Sequence, residues 1–294
     1  MKKNLIVSSA DNKYSKLLIE LYLSLKKLDN YDFAILDCGL SKSDQDYFQN
    51  LNIQIKKPIW EYPLPKLKVR GREYLKVQFS RFFLHNYFPD YENYFWMDSD
   101  IWINCPETFH YYLKGVNEKG FSICPQIDRS SPKLLNIKWF LNFPFKINSI
   151  NYKNISKSVS KKMGKKYAGY YTLNAGCFGY SKNYDGLSVI HKNLKKASKK
   201  GRIFGSDQVA LALSLFEDNL EFEFLPSYCN WICEHHMPKY CESKEVFVEP
   251  YVPHHNIALI HLAGLDAERQ NSNIKHEILT LSGKKIKKSL RYQN

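Results

Sequence analysis

The sequence lacks three features that would each have indicated another class of protein. No glycine occurs before Gly39, so the turn after the first predicted strand holds neither the G-x-G-x-x-G fingerprint of dinucleotide-binding proteins nor a Walker phosphate loop. No stretch approaches the roughly 20 apolar residues of a membrane-spanning helix. The apolar run at residues 5–7 is too short for a secretory signal, and Asp11 soon follows it. These absences favour a cytoplasmic enzyme.

Acidic residues are also scarce. The chain has 29 Asp and Glu against 43 Lys and Arg, which gives a formal net charge of +14. Much of the excess lies in three lysine-rich stretches, at residues 153–166, 192–202 and 284–291. A basic surface suits nucleic acid, anionic lipid or acidic substrates, although lysines that only solvate the surface are the ordinary alternative. Since no nucleic-acid-binding motif is present, we expect no nucleic-acid partner.

The seven cysteines are odd in number and scattered, which fits reduced thiols better than a disulfide framework. One local cluster invites a zinc interpretation, and it consists of Cys229, Cys233, His235, His236 and Cys241. Because the cluster has no C-x2-C pair on either side, we do not expect a structural zinc ion there.

Strand and helix patterns alternate along much of the chain. Early strands are predicted for four segments, at residues 4–9, 32–36, 53–55 and 94–97. Amphipathic helices are predicted at residues 17–28, 41–51, 73–87, 185–200 and 206–217. Later strands are predicted at residues 171–176, 221–225, 245–249 and 257–261. This alternation predicts an α/β fold with a mostly parallel central sheet flanked by helices.

Two carboxylates come directly after the strand at residues 94–97. Asp98 and Asp100, separated by Ser99, lie on the same side of an extended chain and repel each other unless a cation lies between them. Ligands of open α/β sheets collect at the carboxyl ends of the strands. The pattern therefore predicts a site for Mn²⁺ or Mg²⁺, with a solvated turn as the alternative.

Other polar motifs also lie at the ends of predicted elements. After the first strand, Asp11 would accept a hydrogen bond from a base and Tyr14 would stack on it, unless Asp11 only caps the first helix. Asn174 precedes a predicted turn at Gly176 and can bind a sugar hydroxyl, although the residues alone favour a structural turn. His261 ends a late strand, either as a metal ligand or as a buried histidine.

Together these segments resemble glycosyltransferase family 8. The similar segments are SADNKY at 9–14, FSRFFL at 79–84 leading into YFWMDSD at 94–100, NAG at 174–176, SDQ at 206–208, LPSYCNW at 225–231 and IHLAG at 260–264. No single segment is specific, but six in this order cover most of the chain. The resemblance implies a GT-A fold, a nucleotide-sugar donor that is usually UDP-linked, Mn²⁺ and retention of configuration.

The resemblance also implies roles for individual residues. Asp98, Asp100 and His261 would bind the metal ion. The nucleotide-sugar donor would be held by Ser9, Ala10, Asp11, Tyr14, Arg81 and Ser99. The catalytic positions lining the sugar would be Asn174, Asp207 and Gln208. The chain departs from the family where a Lys-Pro-Trp follows the last glycine, since here the sequence after Gly264 is LDAER. Arg269 or Lys275 would then contact the diphosphate.

These features predict a single GT-A-like catalytic domain over residues 1–265 and a basic C-terminal extension over 266–294. Residues 128–168, rich in Lys, Asn and Ser, would be a mobile insertion or a cap on the acceptor side. The tail at 283–292 mixes basic and apolar residues, so it would contact an anionic membrane surface or fray. Contact of this tail with an anionic membrane would place the enzyme peripherally on the inner face of the membrane.

The predicted reaction moves a hexose from a nucleotide-diphosphate sugar to a glycan, lipid-linked or other hydroxyl acceptor. We expect same-face attack, because no convincing nucleophile is visible in the sequence. A nucleotidyltransferase is a rival that would need the missing glycine-rich loop. The second rival is a non-catalytic basic protein that binds a membrane surface or nucleic acid on the same fold.

Overall fold

The computed structural model describes residues 2–127, 129–131, 135–200 and 203–293. Its strands are β1 (Lys2–Ala10), β2 (Asp32–Asp37), β3 (Gln54–Lys56), β4 (Tyr91–Met97), β5 (Ile101–Ile103), β6 (Phe121–Gln126), β7 (Asn136–Phe140), β8 (Phe143–Asn148), β9 (Thr172–Ser181), β10 (Glu223–Phe224), β11 (Trp231–Ile232), β12 (Lys239–Cys241), β13 (Val246–Val248), β14 (Leu259–His261), β15 (His276–Leu279) and β16 (Lys285–Lys288). Its α-helices are α1 (Ser15–Leu25), α2 (Lys42–Asn50), α3 (Lys66–Val69), α4 (Val77–Ser80), α5 (Leu84–Tyr87), α6 (Pro106–Lys119), α7 (Ile150–Ser158), α8 (Lys161–Lys166), α9 (Leu187–Lys200), α10 (Ser206–Phe216) and α11 (Asp266–Gln270). Short 3₁₀ helices lie at Glu73–Lys76 and Ser227–Cys229.

Seven strands form the central sheet, in the order β10-β6-β9-β4-β1-β2-β3. β1 is parallel to β2 on one side and to β4 on the other, and β2 is parallel to β3. β9 runs antiparallel to both β4 and β6, whereas β10 is parallel to β6. The predicted α/β fold with a mostly parallel central sheet is therefore confirmed.

Alternate residues of the central strands supply two hydrophobic cores, one on each face of the sheet. Leu5, Val7 and Trp96 belong to the core that α9 and α10 cover. Ile6 and Phe95 belong to the core that α1, α2 and α6 cover. All five side chains are fully buried. Since helices cover both faces of the sheet, polar side chains can gather where the strands end.

Most of the predicted elements are present. The four early strands correspond to β1, β2, β3 and β4, and the late ones include β10, β13 and β14. The helices at 185–200 and 206–217 correspond to α9 and α10. Ser41 caps α2 as predicted, because its hydroxyl oxygen accepts a hydrogen bond from the Asp44 backbone N–H.

The single helix predicted for residues 73–87 is wrong. The segment consists of a 3₁₀ turn followed by the short helices α4 and α5. The Leu84 N–H donates to the hydroxyl of Tyr180 at 2.9 Å, so the helical bond to the Ser80 carbonyl is not made. The Arg81 N–H still makes its helical bond to the Val77 carbonyl, at 3.3 Å, so the helix breaks after Arg81. Tertiary contacts thus interrupt a segment whose apolar spacing is helical.

The turn predicted at Gly176 is also wrong. β9 continues through Gly176 to Ser181, although its register with β6 shifts between Leu173 and Phe178. The Asn174 side chain accepts a hydrogen bond from the Gly176 N–H at 3.0 Å, within the extended segment. A glycine is needed here because the side chains of His261 and Asp98 lie too close for a Cβ atom.

The segment at residues 128–168 is folded where the structure describes it; residues 128 and 132–134 lie outside the described part. The antiparallel strands β7 and β8 form a hairpin, and α7 and α8 follow. Ile155 of α7 and Tyr167 pack with Val209 of α10 in a small core of their own. This packing places α7 beside the start of α10.

The tail at residues 283–292 is not frayed. β16 pairs antiparallel with β15, and Leu290 and Arg291 are buried. The Arg291 guanidinium is bound to the Glu20 carboxylate of α1 at 2.5 and 2.6 Å. The division into a domain at 1–265 and an extension at 266–294 stays a prediction. Among the described residues, none of the helices has both the length and the apolar character needed to cross a membrane.

Candidate metal and donor site

The predicted site residues gather at the carboxyl edge of the central sheet, beside β1 and β4. β1 lies between β2 and β4, so the chain leaves the sheet in opposite directions after these neighbouring strands. Asp11 follows the end of β1, and Asp98 follows the end of β4. Such a switch point forms a crevice, which is where ligands bind in open α/β sheets.

Asp98, Asp100 and His261 form the candidate metal centre. One possible ligand atom from each lies within 4.8 Å of the other two, and His261 Nε2 is 3.6 Å from Asp100 Oδ1. β14 pairs antiparallel with β5, and this register sets His261 opposite Ile101. Two carboxylates and an imidazole are a donor set that fits a divalent ion. The cluster can therefore hold one.

Asn230 fixes the orientation of His261 in the candidate metal centre. Its amide Oδ1 lies 3.0 Å from His261 Nδ1, and both side chains are buried. An amide oxygen only accepts, so Nδ1 carries the ring proton and the lone pair of Nε2 faces Asp100. Ligating histidines are usually held in this way by a partner behind the ring. Asn230 lies in the LPSYCNW segment at 225–231, but its neighbours along the chain do not indicate this role.

Gly176 provides the space in which the cluster fits. A Cβ atom at this position would lie 2.5 Å from His261 Cε1 and 3.1 Å from both Asp98 Oδ2 and Asn174 Oδ1. The backbone also positions Asp98, whose N–H donates to the Gly176 carbonyl at 2.8 Å. The glycine is thus required by the close approach of two of the candidate ligands.

Arg81 joins the metal centre to the start of α10. Its guanidinium is buried, lies 3.3 Å from Asp98 Oδ1, and donates to Asp207 Oδ2 and to the Ala175 carbonyl, each at 2.9 Å. The Trp96 ring lies against it at 4.6 Å, and the indole N–H donates to Asp98 Oδ1 at 2.8 Å. A buried cation with two acidic partners fixes all three side chains relative to one another.

Asp207 is fully buried at the first turn of α10, and both of its oxygens have partners. Oδ2 accepts from Arg81, and Oδ1 accepts from the Gln208 backbone N–H at 2.8 Å. Burial raises the pKa of the Asp207 carboxyl, and the charge of Arg81 opposes that rise. Beside it, Gln208 Oε1 lies 3.5 Å from the side-chain amide of Asn154 in α7. The segment at 128–168 therefore reaches the part of the candidate site at the start of α10.

Arg269 connects the metal centre to the other end of the crevice. Its Nη1 lies 3.1 Å from Asp100 Oδ2, and its guanidinium lies 5.8 Å from the centre of the Tyr14 ring. A second nitrogen is bound to Asp266 on the same helix. Partial burial alone would lower the pKa of Arg269. The hydrogen bond to Asp266 and the charge of Asp100 outweigh that effect, so the net shift of the Arg269 pKa is upward. Lys275, the other candidate for this position, is exposed.

The predicted nucleotide residues lie where β1 ends. Asp11 Oδ1 accepts hydrogen bonds from the Lys13 and Tyr14 N–H groups at 3.0 and 3.2 Å, so it orders the turn before α1. Ala10 is buried at the last position of β1, and its carbonyl accepts from the Cys38 N–H at 3.1 Å. Ser9 precedes it in the strand. Ser99, half-buried, lies between the two aspartates.

The cysteine and histidine cluster at residues 229–241 does not converge on one point. Its three cysteines are buried, while His235 bonds to Ser131 and His236 to Tyr251. Among the described residues, the set whose ligand atoms are close enough to share a metal ion is Asp98, Asp100 and His261.

The fold can be compared with known structures. The chain matches no protein-family model and no curated protein. It is similar to the galactosyltransferase LgtC in complex with donor and acceptor sugar analogues, with a TM-score of 0.51 and 14% identity over 88% of this chain and 87% of that one. An active-site mutant of LgtC matches with a TM-score of 0.50 at the same identity and coverage. The predicted GT-A fold is therefore confirmed.

Proposed function

We propose that the chain is a metal-dependent glycosyltransferase that uses a nucleotide-diphosphate sugar. The observation that carries the proposal is the cluster of Asp98, Asp100 and His261 at the carboxyl end of β4, with a guanidinium on each acidic residue. A divalent ion at such a site would neutralise the negative charge that develops on a leaving diphosphate. Mn²⁺ and a UDP-linked hexose are the ion and donor implied by the resemblance to family 8.

The donor would lie along the crevice from Tyr14 to Asp207. At one end Tyr14 would stack on the base, with Asp11 close by. We assign the diphosphate contact to Arg269, because it lies between the Tyr14 ring and Asp100. Its side chain is 21% exposed, so the accessible part of the guanidinium can meet a phosphate oxygen. The exposed position of Lys275 does not support that role.

The sugar would lie beside Arg81, with Asn174, Asp207 and Gln208 as its polar neighbours. Both Asp207 oxygens are occupied, by Arg81 and by the Gln208 N–H, which argues against Asp207 as a nucleophile. We therefore favour same-face attack with retention of configuration. The acceptor oxygen bonds to the anomeric carbon as the bond from that carbon to the diphosphate breaks, and the acceptor proton passes to the leaving phosphate oxygen.

The acceptor side would be formed by the segment at residues 128–168, which reaches Gln208 through Asn154. A glycan or a lipid-linked sugar would offer the attacking hydroxyl.

Thermal unfolding with a panel of nucleoside diphosphates, each with and without Mn²⁺, tests the proposal. A ligand that binds the folded state raises the Tm. We expect the largest rise with UDP and Mn²⁺ together, and loss of its metal-dependent part in Asp100→Asn. Asp46→Asn, on the exposed side of α2, is the matched control and should respond like the unchanged protein.

Release of UDP from UDP-hexoses, measured with glycan and lipid-linked acceptors, then identifies the transfer. If no nucleotide raises the Tm, the donor site is absent and the non-catalytic alternative is favoured. A glycosyl-enzyme adduct detected by mass spectrometry would contradict same-face attack while leaving the transferase proposal in place.

A further inference from the structure

The tip of the β7–β8 hairpin exposes a group of large apolar side chains. They are 61–81% exposed, and they are Trp139, Phe140, Leu141, Phe143 and Phe145. Phe140 and Phe143 face each other in the register next to the turn. Single exposed apolar residues are ordinary, but five adjacent ones on a projecting hairpin indicate a binding surface.

The chain segment that carries this tip has side-chain charges of one sign. Residues 129–184 contain ten lysines, one arginine and no aspartate or glutamate. Lys138 and Lys146 are exposed and pair with each other across the hairpin, just behind the apolar tip. The lysines of α7 and α8 are exposed as well. An apolar tip with a cationic collar is complementary to a bilayer whose headgroups are anionic.

The residues at the tip favour a bilayer over nucleic acid, which also attracts aromatic and basic residues. Bases stack on rings, yet the most exposed tip residue is Leu141, an aliphatic side chain at 81%. Leucine, tryptophan and phenylalanine together suit the boundary between headgroups and acyl chains, where apolar side chains are buried and the indole N–H stays hydrated.

The hairpin also leaves the sheet at the same edge as the candidate site. It lies in the chain between β6 and β9, and Gln126 pairs with Thr172 where these two strands meet at that edge. Four residues along β9, the Gly176 carbonyl accepts from the Asp98 N–H. A tip held in a bilayer would keep the crevice near the membrane surface.

We propose that the β7–β8 hairpin anchors the protein to anionic membranes, with its apolar tip among the lipids and the exposed lysines of the hairpin, α7 and α8 on the headgroups. The anchor is distinct from the basic C-terminal tail, which is folded against α1 and β15. Access to a lipid-linked acceptor follows only if the proposed transferase function is also correct.

Co-sedimentation with vesicles tests the anchor. We expect the protein to bind vesicles of phosphatidylglycerol and phosphatidylcholine, and to bind phosphatidylcholine alone only weakly. Trp139→Ser/Phe143→Ser should weaken binding about tenfold or more, since two large apolar side chains are lost from the interface. Leu67→Ser, at a residue 92% exposed outside the hairpin, is the matched control and should bind normally.

Two further variants separate the anchor from other sites. Lys284→Ser/Lys287→Ser removes exposed charge from the tail, and it should bind vesicles almost as well as the unchanged protein. Asp100→Asn should also bind normally, so a failed transferase proposal would leave this result intact. The anchor is overturned if the tail variant loses binding while the hairpin variant keeps it.

Tryptophan fluorescence locates the contact. Trp139 is 61% exposed, whereas Trp96, Trp102 and Trp231 are buried. We expect a blue shift of the emission on adding anionic vesicles, and loss of that shift in Trp139→Phe, which keeps an aromatic ring and should still sediment. Normal vesicle binding by Trp139→Ser/Phe143→Ser overturns the proposal. The proposal is also overturned if the tip instead holds two copies of the chain together. In that case the protein would be a dimer, and Trp139→Ser/Phe143→Ser would dissociate it whether or not lipid is present.

Discussion

Gly176→Ala tests whether the close packing at the crevice serves the metal centre. The added Cβ would lie 2.5 Å from His261 Cε1 and 3.1 Å from Asp98 Oδ2, so one or both of these side chains must move. Overpacking a buried site costs about 1–3 kcal/mol of folding free energy. We expect Mn²⁺ affinity to fall as well, by about 10- to 100-fold, which is the range for disturbing the surroundings of a metal ligand.

Gly179→Ala is the matched control on the same strand. Its Cβ would lie 2.7 Å from the Phe95 ring and 2.9 Å from Val116, inside the core and away from the candidate ligands. We expect a similar loss of stability from this variant and unchanged metal affinity. Urea denaturation measures the stability of both variants, and calorimetric titration with Mn²⁺ measures binding.

The comparison between the two variants decides the outcome. If Gly176→Ala binds Mn²⁺ as tightly as Gly179→Ala does, the residues around Gly176 do not form a metal centre. If neither variant loses stability, the strand can move aside and the packing argument is wrong.

Asn230→Ala leaves His261 without its oriented partner, so Mn²⁺ affinity should fall about 10- to 100-fold in a calorimetric titration; an unchanged affinity would contradict the assigned orientation. Arg269→Gln should weaken UDP binding in the presence of Mn²⁺ about tenfold or more, because a charged hydrogen bond is lost, whereas Lys275→Gln should not; equal effects would contradict the assignment of the diphosphate contact. Burial lowers the pKa values of His85 and His191 below the usual 6.5, so the unfolded chain binds protons first and the free energy of unfolding should fall as the pH drops below 6.5. His191→Gln should flatten that dependence in denaturation curves measured across this range, and an unchanged slope would contradict it.

Part of the candidate site could be predicted from short stretches of sequence. Asp98 and Asp100 were identified because a buried strand ends immediately before them, and both the strand and the carboxylates are visible within ten residues. His261 was ambiguous from its own neighbourhood, and only the resemblance assigned it to the metal. Asn230 gave no local signal, since an asparagine after a 3₁₀ turn has many ordinary uses.

The two wrong predictions have a common origin. The spacing of apolar residues over 73–87 is helical, but Tyr180, about a hundred residues away, supplies the hydroxyl that replaces a helical bond of Leu84. Because glycine is common in turns, the sequence predicts a turn at Gly176. Its actual reason is the approach of the His261 ring, which no local pattern contains.

The sequence by itself determined the two-sided sheet and the position of the carboxylates, because alternation and helical periodicity depend on neighbours along the chain. Only the tertiary structure decided which distant side chains meet. Arg81 meets Asp207, which lies 126 residues further along the chain, and His261 reaches Asp100 because β14 pairs with β5 in one register. It also decided that the C-terminal tail folds back with Leu290 and Arg291 buried while the apolar tip of the hairpin is exposed, since exposure depends on what the rest of the chain covers.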